Sequence, residues 1–211
     1  MPTQTYRLKN GVKVPGVTTV IGQLGWNKSA LMFWSWSQGK EGLDFRATRD
    51  TAADLGTIVH ALIETEMRGK KADLSIVPHD LQDKAQNALL AFWEWRDAYK
   101  LEPTGAELPL VSEQYHFGGT MDYPANVQGR RVILDLKTAK DIYPDNWIQV
   151  AAYGQLWNEA NPHDPVTGYH ILRVGKEDGG FAHHYKPSLT HEWEAFTHLL
   201  ALYELKRRIE K

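Results

Sequence analysis

Hydrophobic positions follow a helical period in the first half of the chain. Apolar residues recur three and four positions apart, which predicts helices at about Ser29–Gly39, Thr51–Met67 and Pro78–Tyr99. Ahead of them, Tyr6–Val14 alternates apolar and polar residues around an Asn-Gly pair, a pattern typical of a hairpin with a two-residue turn. The first half is therefore predicted to be mainly helical, behind a small hairpin.

The apolar period becomes two after Gly105, as in strands with one exposed face. Turns expected at Gly118-Gly119 and Gln128-Gly129 divide this region into three strands of a meander: Leu108–Phe117, Thr120–Val127 and Arg131–Lys137. The remaining segments read as a helix, two strands and a last helix: Asn146–Ala160, Val166–Val174, Phe181–Lys186 and Leu189–Ile209. The alternation of helices and strands predicts an α/β fold.

Length and composition favour one folded domain. A chain of 211 residues with 42% hydrophobic residues can form one large core but is short for two. We expect a single domain over residues 1–211, in which 1–50 form the hairpin and a helical extension and 51–211 form the core. No apolar run approaches the length of a membrane span, and the first residues do not resemble an export signal, so a soluble, cytoplasmic protein is expected.

Charge and cysteine content limit the chemistry. The net charge of −2 gives no overall attraction to nucleic acid, so DNA binding would depend on local basic groups. Candidates are Arg68–Lys71, Arg130-Arg131 and Lys206–Arg208, although each also fits an ordinary solvated helix end or turn. The chain has no cysteine, which excludes disulfides, thiolate metal sites and a cysteine-ligated iron–sulfur cluster. Any metal ion would be held by histidine and carboxylates.

One strand end carries a pair of charged residues of chemical interest. Asp135 and Lys137 lie two positions apart at the end of an apolar strand, so their side chains share one face. Asp122 lies on the preceding predicted strand, and the connecting hairpin can bring the two carboxylates to a common end. Mg²⁺ prefers oxygen ligands, and a nearby lysine could orient a water or stabilise phosphorane charge. An isolated triplet of this kind would also fit a strand-end salt bridge.

Further candidate residues surround this triplet in sequence. His60 and Glu64 share one face of a predicted helix, and so do Gln149 and Tyr153. Glu113, on the strand before the predicted glycine turn, could reach the same centre. Each has an ordinary alternative, namely a buried core histidine, helix packing or a solvated strand residue. A zinc hydrolase is a weaker interpretation because His60 and Glu64 lack the second histidine of a His-Glu-x-x-His arrangement.

Taken in order, these segments resemble the PD-(D/E)XK nuclease superfamily, and in particular its RecB-like branch of phage-type exonucleases. The resemblance covers roughly residues 50 to 160 and rests on four motifs: Gly56-Thr-Ile-Val-His60, Gly119-Thr-Met-Asp122, Asp135-Leu-Lys137-Thr138 and Gln149-x-x-x-Tyr153. It implies an αβββαβ core with a central mixed sheet flanked by helices. Members that carry an iron–sulfur cluster use four cysteines, so this chain resembles the type without the cluster.

The resemblance also implies roles for individual residues. The metal, Mg²⁺ or Mn²⁺, would be held by His60, Asp122, Asp135 and the carbonyl of Leu136, with Lys137 as the catalytic lysine. Supporting roles would fall to Glu64, Glu113, Gln149 and Tyr153, and Thr138 and Thr19 would contact DNA. The segment Val14–Val20, together with Leu31 and Trp34, resembles the part of phage-type relatives that forms a passage for the strand.

These expectations favour a divalent-metal-dependent DNA exonuclease acting on single-stranded or end-bearing duplex DNA, in phage or bacterial DNA processing or recombination. The expected compartment is then the cytoplasm of a bacterium or phage-infected host, with a recombination or single-strand-binding protein as an additional partner to consider. Trp34 and Trp36 could stack on unpaired bases or pack in a core. The alternatives are a structure-specific or flap endonuclease with the same centre and a non-catalytic DNA-binding recombination accessory protein.

Overall fold

The N-terminal hairpin forms as predicted, but with a different turn. The computed structural model describes residues 4–26, 28–138, 141–174 and 181–210, without the side chains of residues 30, 47–54 and 181. β1 (Tyr6–Arg7) pairs antiparallel with β2 (Lys13–Val14). The predicted two-residue turn is wrong: Leu8 N donates to Val12 O at 2.9 Å and Gly11 has a φ of 85°. The loop therefore holds three residues and ends in a left-handed glycine.

Helices dominate the first half: α1 (Val17–Ile21), α2 (Lys28–Lys40), α3 (Phe45–Met67) and α4 (Gln82–Tyr99). α3 begins at Phe45 rather than at the predicted Thr51, because Asp44 accepts a hydrogen bond from the Arg46 N–H at 2.9 Å and caps the helix. α4 begins later than predicted, because residues 79–81 form a 3₁₀ turn. Within the described ranges, each helix is too short or too polar to cross a lipid bilayer.

The predicted meander is divided differently in the structure, into β3 (Leu101–Pro103), β4 (Leu108–Ser112), β5 (Phe117–Met121), β6 (Tyr123–Val127) and β7 (Arg130–Lys137). Residues 113–116 form the turn between β4 and β5, so the predicted turn at Gly118-Gly119 is wrong. Both glycines lie inside β5, where tyrosine side chains pack so closely that a larger residue would not fit. A Cβ at Gly118 would overlap the base of the Tyr6 side chain, and one at Gly119 would lie 2.8 Å from Tyr153 Cε1.

The second half completes a central mixed sheet and adds α5 (Pro144–Ala160), β8 (Gly168–Val174), β9 (Phe181–Lys186) and α6 (Thr190–Ile209). The five-stranded sheet has the order β3-β6-β7-β8-β9, while β4 and β5 form a two-stranded sheet. Within the five-stranded sheet β7 and β8 are parallel, with α5 between them in the chain, and the other neighbours are antiparallel. Helices pack on both faces. The predicted α/β class is confirmed.

Alternating side chains of β7 enter two different cores. Leu134 and Leu136 pack with α3 and α4, whereas Ile133 packs with α1, α5 and α6. Asp135 has the same parity as Ile133, so its side chain belongs to the face covered by α5. The strand thus carries a charged side chain into an otherwise apolar layer.

Candidate metal-binding active site

Asp135 and Lys137 form an ion pair at the end of β7. Asp135 is completely buried, and its Oδ2 lies 2.5 Å from Lys137 Nζ. The pleat places both side chains on the same face of the strand, as the spacing predicted. The apolar run Val132–Leu134 fixes this strand in the sheet centre and thereby holds the pair in place.

Asp122 occupies a bend between β5 and β6 and is held against the same strand end. Its Oδ2 accepts a hydrogen bond from Leu136 N at 2.9 Å. The β6–β7 register places Tyr123 opposite Leu134, so the next position of the ladder brings Asp122 beside Asp135. Two carboxylates from neighbouring strands therefore meet at one edge of the sheet.

A third carboxylate, Glu107, joins this centre and was missed in the sequence. Ligand atoms of His60, Glu107 and Asp122 all lie within 4.8 Å of one another, and the three side chains are half-buried. Glu107 precedes β4, has a φ of 51°, and donates its backbone N–H to Asp122 O at 2.8 Å. The β4–β5 register, with Leu108 opposite Met121, makes Glu107 a neighbour of Asp122.

The electrostatics of the centre show an excess of negative charge. Burial, together with repulsion from Asp122 and Glu64, raises the pKa of Glu107 to about 7. Burial likewise raises the pKa of Asp135 to about 7, with Asp122 adding to the rise and Lys137 opposing it. Burial would lower the pKa of Lys137, but Asp135 and Asp122 outweigh it, so the net shift is upward and the ammonium stays charged. Burial lowers the pKa of His60, which favours the neutral imidazole.

These features fit a divalent cation. Asp135 Oδ1 is buried and accepts no hydrogen bond from any residue that the structure describes. A buried carboxylate oxygen without a partner destabilises the folded protein unless a proton or a cation binds to it. A neutral imidazole and carboxylates together form a donor set for a divalent cation. Among the residues that the structure describes, Glu107, Asp122 and His60 supply the closest group of donors, and Asp135 adds unsatisfied charge at the adjoining position.

Lys137 is connected to α5 through two polar side chains. Its Nζ donates to Gln149 Oε1 at 3.2 Å, and Gln149 Nε2 donates to Tyr153 Oη at 2.8 Å. The two α5 residues are one helical turn apart, so both face the sheet. The predicted pair is thus placed next to the lysine, and it orients the ammonium rather than touching the group of three possible ligands.

The structure separates the two supporting glutamates that the sequence suggested. Glu64 lies near Glu107 and His60, but its Oε1 accepts hydrogen bonds from Arg68 Nε and Nη2 at 2.9 and 2.6 Å. Glu113 is not brought to the centre. It lies in the turn at the far end of β4, where its Oε1 accepts the Lys9 N–H at 2.9 Å. The sequence pattern predicted one strand from Leu108 to Phe117. In the structure this strand ends at Ser112, so Glu113 lies in the turn.

The residues expected to contact DNA fall in three places. Thr138 follows β7, and its Oγ1 lies 2.8 Å from the point where a Cβ on Gly56 would stand, so this glycine allows α3 to approach the strand end. Thr19 is exposed on α1. On α2, Trp34 is half-buried against Phe45 with ring centroids 6.3 Å apart, whereas Trp36 is 57% exposed. Trp34 is thus partly covered by a ring of α3, whereas Trp36 is largely open to solvent.

Comparison with known proteins finds similar structures but no match in sequence. No family model matches the chain, and no curated protein matches it in sequence. Among solved structures, it resembles a candidate exonuclease from Eubacterium rectale at 13% identity and a TM-score of 0.46, over 72% of this chain and 65% of that one. It also resembles an alkaline exonuclease from Laribacter hongkongensis at 12% identity and a TM-score of 0.35, over 72% and 83% of the two chains. The match to the E. rectale protein thus spans just under two thirds of that protein's length.

Proposed function

We propose that the chain is a divalent-metal-dependent DNA exonuclease whose reaction centre is built from Asp122, Asp135 and Lys137. The observation that carries this proposal is the meeting of two strand-end carboxylates with a half-buried lysine, beside the donor group of His60, Glu107 and Asp122. A structural salt bridge would need only Asp135 and Lys137. The additional carboxylates raise the local negative charge, which costs stability unless a cation is bound.

Each residue of the proposed centre would have a separate role in phosphodiester hydrolysis. A bound Mg²⁺ or Mn²⁺ would lower the pKa of a coordinated water and polarise the scissile phosphate. His60, Glu107, Asp122 and Asp135, together with the carbonyl of Leu136, would hold the ion. Lys137 keeps its charge at neutral pH and stands where it can stabilise negative charge developing on the phosphate. Gln149 fixes the direction of its ammonium.

Residues outside the reaction centre would adjust its charge and contact the DNA. Glu64 would tune the charge of the centre through Glu107, while Arg68 balances it. Tyr153 would position Gln149 and border the path of the strand. We propose Thr138, Thr19 and Trp36 as DNA contacts because Thr138 adjoins the centre and the other two are exposed.

A time course with end-labelled linear DNA tests the function. Single-stranded, double-stranded and covalently closed circular DNA are incubated with Mg²⁺, Mn²⁺ or a chelator. The proposal predicts loss of the linear substrates with either metal, no loss with the chelator, and intact circles. Cleavage of the circles would identify an endonuclease instead. DNA binding without turnover under all conditions would identify a non-catalytic binding protein.

A further inference from the structure

A large groove lies beside the proposed centre. It has a volume of about 870 Å³ and is lined by residues of the N-terminal hairpin, α1, β5, α5 and α6. Clefts of roughly 300–1,000 Å³ are typical of sites for small ligands. The groove therefore has room for a short stretch of a single nucleic-acid strand.

One lining residue of the groove is connected to Lys137 through hydrogen bonds. Tyr153 forms part of the lining and accepts the hydrogen bond from Gln149, which in turn accepts one from Lys137. Thr120, another lining residue, lies on the strand that ends just before Asp122. A ligand in the groove would thus contact both elements that position the reaction centre.

The charge of the lining favours an anionic ligand. Of the fifteen described residues that line the groove, Lys13 and Arg207 are cationic and none is acidic. These two come from opposite ends of the chain, β2 and α6, in a protein whose net charge is −2. Arg207 lies 3.5 Å from Glu204 in an exposed pair, which a phosphate could replace at little cost.

The remaining lining supplies rings and hydroxyls rather than a base-specific pattern. Tyr6 and Tyr203 present aromatic rings, and the Arg207 guanidinium lies 5.9 Å from the Tyr203 ring centre. Exposed Thr18 and Thr19 add hydroxyl groups. Cations that follow a backbone, combined with rings on which bases can stack, are typical of sequence-independent binding to single strands.

We infer that this groove binds a single DNA strand on its way to the reaction centre, with Lys13 and Arg207 holding backbone phosphates. The inference rests on the proposed function and names the form of its substrate. A duplex end would have to separate before one strand enters. The N-terminal hairpin and α6 would thus form the two sides of the strand path.

Fluorescence anisotropy with a labelled oligothymidylate, in the presence of a chelator, tests this inference without cleavage. The variant Lys13→Ala/Arg207→Ala should weaken binding about tenfold or more at low salt. The slope of log affinity against log salt should become shallower by about 1.4, or 0.7 for each lost phosphate contact. The matched control is Lys9→Ala/Lys206→Ala, which removes the same charge from the same hairpin and helix outside the groove. Its affinity and slope should stay closer to those of the wild type.

Equal affinities and slopes for the two double variants would overturn the inference, as would tighter wild-type binding to a sealed blunt duplex than to the single strand. Cleavage is measured separately with Mg²⁺. If the wild type degrades DNA and the Lys13→Ala/Arg207→Ala variant binds and degrades it equally well, strand binding in the groove is refuted and the proposed nuclease function is retained. If binding follows the prediction but no DNA is degraded under any condition, strand binding in the groove is supported and the proposed nuclease function is refuted.

Discussion

At the scale of single residues, two strand-end carboxylates and a lysine lie beside a glutamate from an irregular segment. Asp122, Asp135 and Lys137 could be found in the sequence because a strand end and a two-residue spacing determine where their side chains point. Glu107 could not be found in this way. It lies in an irregular segment fifteen positions before Asp122, and the β4–β5 register alone makes the two neighbours. Glu113, which was expected at the same centre, lies at the far end of β4 because the turn falls at residues 113–116.

The two glutamates provide a residue-scale prediction. Glu107→Gln removes a charged donor from the group with His60 and Asp122, so Mn²⁺ affinity measured by titration calorimetry should fall about tenfold or more. Glu113→Gln makes the same chemical change at the far end of β4 and should leave the affinity within about twofold. Equal losses in the two variants would show that Glu107 is not a ligand.

At the scale of elements, glycines link the hairpin to the rest of the molecule. The Gly118-Gly119 pair was predicted to be a turn because paired glycines commonly occur in turns. In the structure Gly118 N donates to Pro15 O at 2.9 Å, and the Tyr6 side chain packs over its Cα. Such close packing depends on a contact between residues more than a hundred positions apart, which local sequence patterns do not reveal.

Gly118→Ala should therefore destabilise the protein. The added methyl would overlap the inner atoms of the Tyr6 side chain, which cannot move without the backbone, so a loss of about 1–3 kcal/mol in unfolding free energy is expected in urea denaturation. Gly39→Ala is the control, because nothing lies within 4 Å of a Cβ there and alanine favours a helix. A Gly118→Ala protein as stable as Gly39→Ala would refute the packing argument.

At the scale of the whole molecule, the sheet separates two apolar cores, and a histidine pair joins β8 to β9. The alternation within each strand and the helical spacing predicted which elements exist and the α/β class. β3 and the splitting of β4 from β5 were not predicted, since short edge strands and turns are defined by their partners. His170 Nδ1 and His183 Nε2 lie 2.7 Å apart, and the His183 ring packs on Tyr99 of α4.

This pair predicts a dependence of global stability on pH. Burial, then the proximity of His183, lowers the pKa of His170 from 6.5 to about 4, and burial lowers that of His183. The unfolded chain binds more protons than the folded one between these values, so stability is full above pH 6.5 and falls as pH drops towards 4. For His170 alone the loss from pH 7 to pH 5 should be about 2 kcal/mol.

Urea denaturation at several pH values measures this loss. His170→Gln lacks the titrating ring, so its stability should change less than that of the wild type over the same pH range. A wild type and a His170→Gln variant with parallel pH profiles would show that the pair does not titrate as described.

The most direct test of the central claim compares the DNA hydrolysis rates of the wild type and Asp135→Asn in Mg²⁺. The asparagine keeps the size of the side chain but removes the charge beside Lys137, so circular dichroism should show a folded protein. The account predicts metal-dependent hydrolysis by the wild type and a fall in rate of about a thousandfold in the variant. A folded Asp135→Asn protein that hydrolyses DNA at the wild-type rate would contradict it.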